Sequence, residues 1–115
     1  MVKSNSYIEK VQETLGILSK IHVSNQSNKF LVAIRKLKFP IVYEEVSLSN
    51  EGVYEYHNQI FKTPQGFFID LDKSPDNEDW IVTIYYRAEN NKELKFFLNN
   101  LKKQVINGTD YNSGT

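Results

Sequence analysis

Apolar residues recur at helical spacing at both ends of this chain and at every second position through its middle. Ile8, Val11, Leu15 and Leu18 form one stripe, with Glu9, Lys10, Gln12, Glu13 and Ser19 off it. Ser6 stands three residues before Glu9, the spacing at which a hydroxyl and a carboxylate satisfy each other's orphan backbone N–H groups. A helix is therefore predicted from Ser6 to about residue 21. Ser24-Asn25-Gln26-Ser27-Asn28 has loop composition, and Ser27 or Asn28 can cap the next element. Residues 29–38 fit two periods: Phe30, Ala33, Ile34 and Leu37 make a helical face, while Phe30, Val32 and Ile34 alternate as in a strand. A helix is the preferred reading, ended by Pro40, which pushes its predecessor out of the helical region.

From Ile41 the period is two, and β-branched and aromatic residues dominate to Ala88. Four strands are predicted, at about 41–48, 53–62, 66–72 and 80–88. Ser49-Asn50-Glu51-Gly52 and Thr63-Pro64-Gln65-Gly66 are tight-turn sequences, too short for parallel crossovers, so the strands form an antiparallel meander. Lys73 to Asp79 reads as a polar loop. Asn90 and Glu93 have cap spacing before a helical face of Leu94, Phe97, Leu98, Leu101 and Val105, with a stop at Asn107-Gly108. The expected fold is α+β: a four-stranded meander with its N- and C-terminal helices mainly on one face. Residues 1–108 form one domain and 109–115 a polar tail. Val42, Val46, Tyr54, Tyr56, Ile60, Phe67, Ile69, Leu71, Trp80, Val82, Ile84 and Tyr86 are expected to face the helices, each set keeping one parity within its strand.

Composition narrows the functional classes. A chain of 115 residues holds one core, and 40% hydrophobic with 24% charged residues suits a globular protein. With no cysteine there is no disulfide framework or thiolate metal site, which fits a cytoplasmic protein. No apolar run is long enough to span a bilayer. Net charge is zero, but its distribution is uneven. Residues 1–38 carry seven Lys/Arg against Glu9 and Glu13, while residues 39–91 carry three against ten acids. Basic ends thus flank an acidic middle.

The candidate chemistry is thin. Asp70-Leu71-Asp72-Lys73-Ser74-Pro75-Asp76 begins like a calcium loop, but Pro75 stands where that loop needs Gly and Ile81 where it needs Glu. His22 and His57 are too far apart in sequence for a paired-ligand motif, so no metal is expected. His22 is expected near the end of the first helix, where the dipole favours a cation. His57 shares a predicted strand face with Glu55, and with Asp70 and Arg87 it offers an acid/base constellation. That small-enzyme reading is kept as an alternative, with no catalytic residue assigned. Neither a phosphate-binding glycine loop nor a nucleophile elbow is present, and no cofactor is expected. Asn25 and Asn107 lie in glycosylation sequons that chance explains.

Two surfaces remain. Lys29, Arg35, Lys36 and Lys38 form an acid-free basic segment, the basis of a nucleic-acid-binding alternative. The sheet face away from the helices is expected to carry Ile41, Tyr43, Glu45, Glu55, His57, Phe68, Asp70, Ile81, Tyr85 and Arg87. Aromatic anchors among charges are the composition of protein interfaces. The leading expectation is thus a non-enzymatic interaction module of accessory, inhibitor or immunity type. Its partner-binding residues are Tyr43, Glu55, His57, Phe68, Asp70, Tyr85 and Arg87, and its partner is another protein or a second copy of the chain. No membrane partner is expected.

Overall fold

A computed structural model describes residues 6–23, 27–48, 55–73 and 80–114, with the side chains of 27, 28, 55 and 106–114 left aside. The class is α+β, and the sheet has five strands where the sequence predicts four. The order along the chain is α1 (Ser6–Leu15), β1 (Ser19–Val23), α2 (Ser27–Lys36), β2 (Ile41–Leu48), β3 (Glu55–Lys62), β4 (Phe68–Lys73), β5 (Ile81–Tyr86), a 3-10 turn (Ala88–Asn90) and α3 (Asn91–Gly114). Across the sheet the strands run β1-β5-β4-β3-β2, all neighbours antiparallel.

The extra strand comes from an early end to α1. Gly16 takes φ +90°, a conformation that costs glycine nothing, and its N–H donates to the Gln12 carbonyl at 2.9 Å. The Gln12 side chain then accepts from the Leu18 N–H at 3.0 Å. The chain leaves the helix, and Ser19–Val23 pairs with β5, Ile21 opposite Ile84. His22 therefore sits in a strand, its Nδ1 2.9 Å from Thr83 Oγ1, instead of at a helix end.

The predicted meander is present as β2 to β5. Thr63-Pro64-Gln65-Gly66 makes the tight turn its composition implies, with the Gly66 N–H on the Thr63 carbonyl at 2.9 Å. The turn at 49–52, Tyr54, the loop at 74–79 and Asn25 lie outside the described residues. Residues 27–36 are helical, settling the ambiguous segment. At the other end α3 runs through Asn107-Gly108 to Gly114, so the expected stop does not end it.

The helices do not share one face, contrary to expectation. α2 and α3 cover one side, where Phe30, Ala33, Ile34, Leu94, Leu101 and Val105 pack on Phe61, Phe67, Ile69, Leu71, Val82 and Ile84. α1 covers part of the other, where Ile8 and Leu18 pack with Ile60 and Phe68, flanked by Tyr7, Val11, Val42, Tyr43 and Tyr85. β3 is thus turned over relative to its predicted parity: Phe61, Gln59 and His57 face α2 and α3, while Ile60, Asn58 and Tyr56 face the α1 side. Adjacent Ile60 and Phe61 are both buried, so alternation alone cannot choose between them. A register shift between Ile41 and Tyr43 carries Val42 to the α1 side as well. Val46 keeps its predicted face but lies beyond the reach of the helices, 58% exposed.

Because α1 forms its own small core, Ile8→Ala is expected to lower stability by about 2–5 kcal/mol, as a large-to-small change in a packed site does. Thermal unfolding by circular dichroism measures it; an unchanged midpoint would show α1 undocked.

Candidate partner-binding surfaces

The expected contact residues do not form one surface. Phe68 is buried under α1, its ring 6.3 Å from that of Tyr7, and Tyr43 is half-buried with its ring 5.6 Å from Tyr7. Tyr85, opposite Phe68 in register, is half-buried in the same cluster. Asp70 is 2% exposed. His57 is on the other face, against Trp80 at 5.9 Å between ring centroids. Arg87 lies past the end of β5 in an exposed ion pair with Glu89 at 2.6 Å. The side chain of Glu55 lies outside the described residues. His57 and Asp70 therefore do not converge with Arg87, and the acid/base constellation is not assembled. Among the described residues no group of His, Asp or Glu is placed to hold a metal ion, and no helix is long and apolar enough to cross a membrane.

Next to the α1 core, the same sheet face carries a polar network. Asn58 donates through Nδ2 to Asp70 Oδ1 at 2.5 Å and to the Leu71 carbonyl at 3.1 Å. Tyr56 donates to Asp72 Oδ1 at 2.5 Å, and Tyr43 to Glu45 Oε1 at 3.1 Å. Burial, above all, raises the Asp72 carboxyl above the usual carboxylate range; Glu45 adds to the shift, while bonds from Tyr56 and Asn58 oppose it. Burial and the neighbouring Asp72 push the Tyr56 phenol far up, and burial with Asp70 and Asp72 raises Tyr85. Among the described residues no buried side-chain polar atom lacks a partner. Asn58 and Asp70 of this cluster are buried, and Tyr43, Glu45, Tyr56 and Asp72 are half-buried around them.

A second region lies where the helices stop short of β2. Arg35 donates to Gln59 Oε1 at 3.0 Å, and Gln59 Nε2 donates to Glu44 Oε2 at 2.6 Å. The Arg35 guanidinium also stands 5.4 Å from the centre of the Trp80 ring. Arg35 is exposed, as are Lys29, Lys36 and Lys38, but it is tied to the sheet by these contacts. Beyond this ledge β2 ends the sheet, and on its α2 side Ile41, Val46 and Leu48 are 49, 58 and 61% exposed.

The third feature is a cleft of about 400 Å³ lined by Gln65, Lys92, Glu93, Phe96, Phe97 and Asn100. Sequence reasoning passed over Phe96, whose signal was present: at position 96 it falls outside the apolar stripe of α3, and its ring is 70% exposed. Comparison with known proteins returns no matching family model, no matching curated protein and no matching solved structure.

Asp72→Asn keeps an acceptor for Tyr56 while removing a carboxylate that burial disfavours. An acid whose pKa is raised on folding contributes stability fully below its unfolded value, and loses it as pH climbs through the raised one. The variant is therefore expected to melt higher than the parent at pH 7, with the difference closing below about pH 3.5, where both states of the parent are protonated. Melting curves at the two pH values check it; a difference independent of pH would show that the carboxylate carries no such penalty.

Proposed function

We propose that the chain is a non-catalytic protein-interaction module that takes an extended strand of its partner onto the outer edge of β2. The observation that supports this is the contrast between the two edges of the sheet. An edge strand exposes unpaired backbone donors and acceptors, and proteins that keep such an edge to themselves shorten it or place charge on it, Lys above all. β1 follows that pattern, with five residues and exposed Lys20 and His22. β2 is longer, with eight residues and neither Lys nor Pro; its two charges, Glu44 and Glu45, are engaged by Gln59 and Tyr43, and among the described residues only β3 pairs with it. The register shift at Ile41/Tyr43 blunts one end alone.

Backbone pairing supplies affinity in strand addition, and side-chain pockets supply selectivity. Val46 is opposite His57 in register, and His57 packs on Trp80, which in turn is covered by Arg35. A partner strand along β2 would set its α2-side residues on Val46 and Leu48, beside a Trp–Arg–His group of the kind that dominates interface energetics. Of the contact set expected from sequence, His57 borders this surface. An accessory, inhibitor or immunity-type role fits a module of this size.

Val46→Lys places a charge on the edge at an exposed site, so the fold is expected to survive with its melting temperature within a few degrees of the parent. Association, measured by light scattering for the chain itself and by co-purification for a partner, is expected to be lost. Association identical in parent and variant, or a parent that binds neither itself nor any protein, would remove this reading.

A further inference from the structure

We propose that the outer surface of α3 binds single-stranded nucleic acid, with lysines on the phosphates and an unpaired base in the cleft beside Phe96. Zero net charge hides a separation across the sheet. The helical layer of α2 and α3 carries Lys29, Arg35, Lys36, Lys38, Lys92, Lys95, Lys102 and Lys103, against Glu93 among the acids with described side chains. On the strands, Glu45, Asp70 and Asp72 belong to the far face of the sheet, while Glu44 lies on the helical side, where Gln59 engages it. Among the described residues no ion pair holds Lys92, Lys95, Lys102 or Lys103, and all four are exposed.

Within that layer the arrangement on α3 is specific. Lys92, Phe96 and Lys103 are spaced by four and seven residues, one stripe about 16 Å long, with Lys95 and Lys102 on its flank. A phenylalanine 70% exposed among lysines contributes little to the core, yet presents a flat π face on which any base stacks. The cleft beside it is lined by Phe97, Lys92 and Glu93 together with Gln65 and Asn100, amides that donate to and accept from a base edge. Asn90 ties the turn to the helix there through a long 3.4 Å contact from Nδ2 to the Gln65 carbonyl. An unpaired base reaches such a recess; a base in a duplex does not. A membrane surface fits less well, because the apolar stripe of α3 (Leu94, Leu101 and Val105) is spent in the core and leaves one phenyl ring to insert.

The test is fluorescence anisotropy of a labelled fifteen-nucleotide oligo(dT) titrated with the full chain at about 50 and 200 mM salt. Binding is expected to weaken with salt at a log–log slope of about −2 to −3, near 0.7 for each phosphate met by the four α3 lysines. Phe96→Ala is expected to weaken binding at least about fivefold with the slope unchanged. The double change Lys92→Ala with Lys103→Ala is expected to reduce the slope by about 1.4. Three results would overturn the proposal: no saturable binding at the lower salt, indifference to Phe96→Ala, or tighter binding to the matching duplex or to phosphatidylserine vesicles. Circular dichroism of Phe96→Ala guards the interpretation, since a lost fold would assign the ring to packing and end the stacking argument. Val46→Lys, at the β2 edge, is expected to bind the oligonucleotide as the parent does, so the two proposals fail separately.

Discussion

The fold turns on the burial of β4 from both sides. Phe68, Ile69, Asp70 and Leu71 are successive residues, and all four are buried. A strand in that position needs a covering layer on each face, because alternate side chains point opposite ways. α2 and α3 form one layer and α1 the other. Placing α1 there forces the next segment back toward the sheet, and Gly16 makes the sharp exit that lets Ser19–Val23 become the fifth strand. The small second core, the position of β1 and the burial of Phe68 all result from that demand.

What the sequence revealed depended on how each signal was generated. Helix α3 and the Thr63–Gly66 turn were legible because periodicity and turn chemistry act locally. β1 was not, because Leu15 and Leu18 continue the helical count across Gly16; the signal was the glycine followed by Ile21 and Val23 at alternate positions. The face of β3 was hidden for a different reason. Ile60 and Phe61 are both interior, and period-two reasoning identifies a face only when its opposite is polar. That one inversion moved His57 away from Asp70 and dissolved the acid/base constellation. The contact surface suffered likewise: an aromatic–acidic face reads as an interface until a helix from the same chain covers its aromatic part.

Charge behaves differently from hydrophobicity here. The basic ends of the chain were visible as a linear pattern, yet the ends do not stay together: Lys10 and Lys20 lie with α1 and β1, while α2 and α3 stack in one layer. The fold sorts the cations of the second and last helices onto one side of the sheet and leaves Glu45, Asp70 and Asp72 on the other. A zero net charge speaks to long-range attraction of the whole molecule, whereas a phosphate meets only the lysines within about a Debye length of it. Arg35 is exposed with these cations, but Trp80 and Gln59 tie it to the sheet.

The polar network beside the α1 core has a further consequence for the sheet. Asp70 and Asn58 are buried in positions that an apolar pair would fill at lower desolvation cost, so their presence calls for a reason other than stability. Register supplies it. With Ile60 and Phe61 adjacent on β3, and Phe67, Phe68 and Ile69 adjacent around β4, apolar contacts alone would tolerate a one-residue slip between the two strands. Such a slip would turn one strand over relative to the other, separating Asn58 from Asp70 and Tyr56 from Asp72 and driving one polar set of these residues into the α2–α3 core. The cost of burying those groups without partners is what excludes the alternative pairing. A sequence too evenly apolar to specify its own register thus relies on two carboxylates, an amide and a phenol to do so.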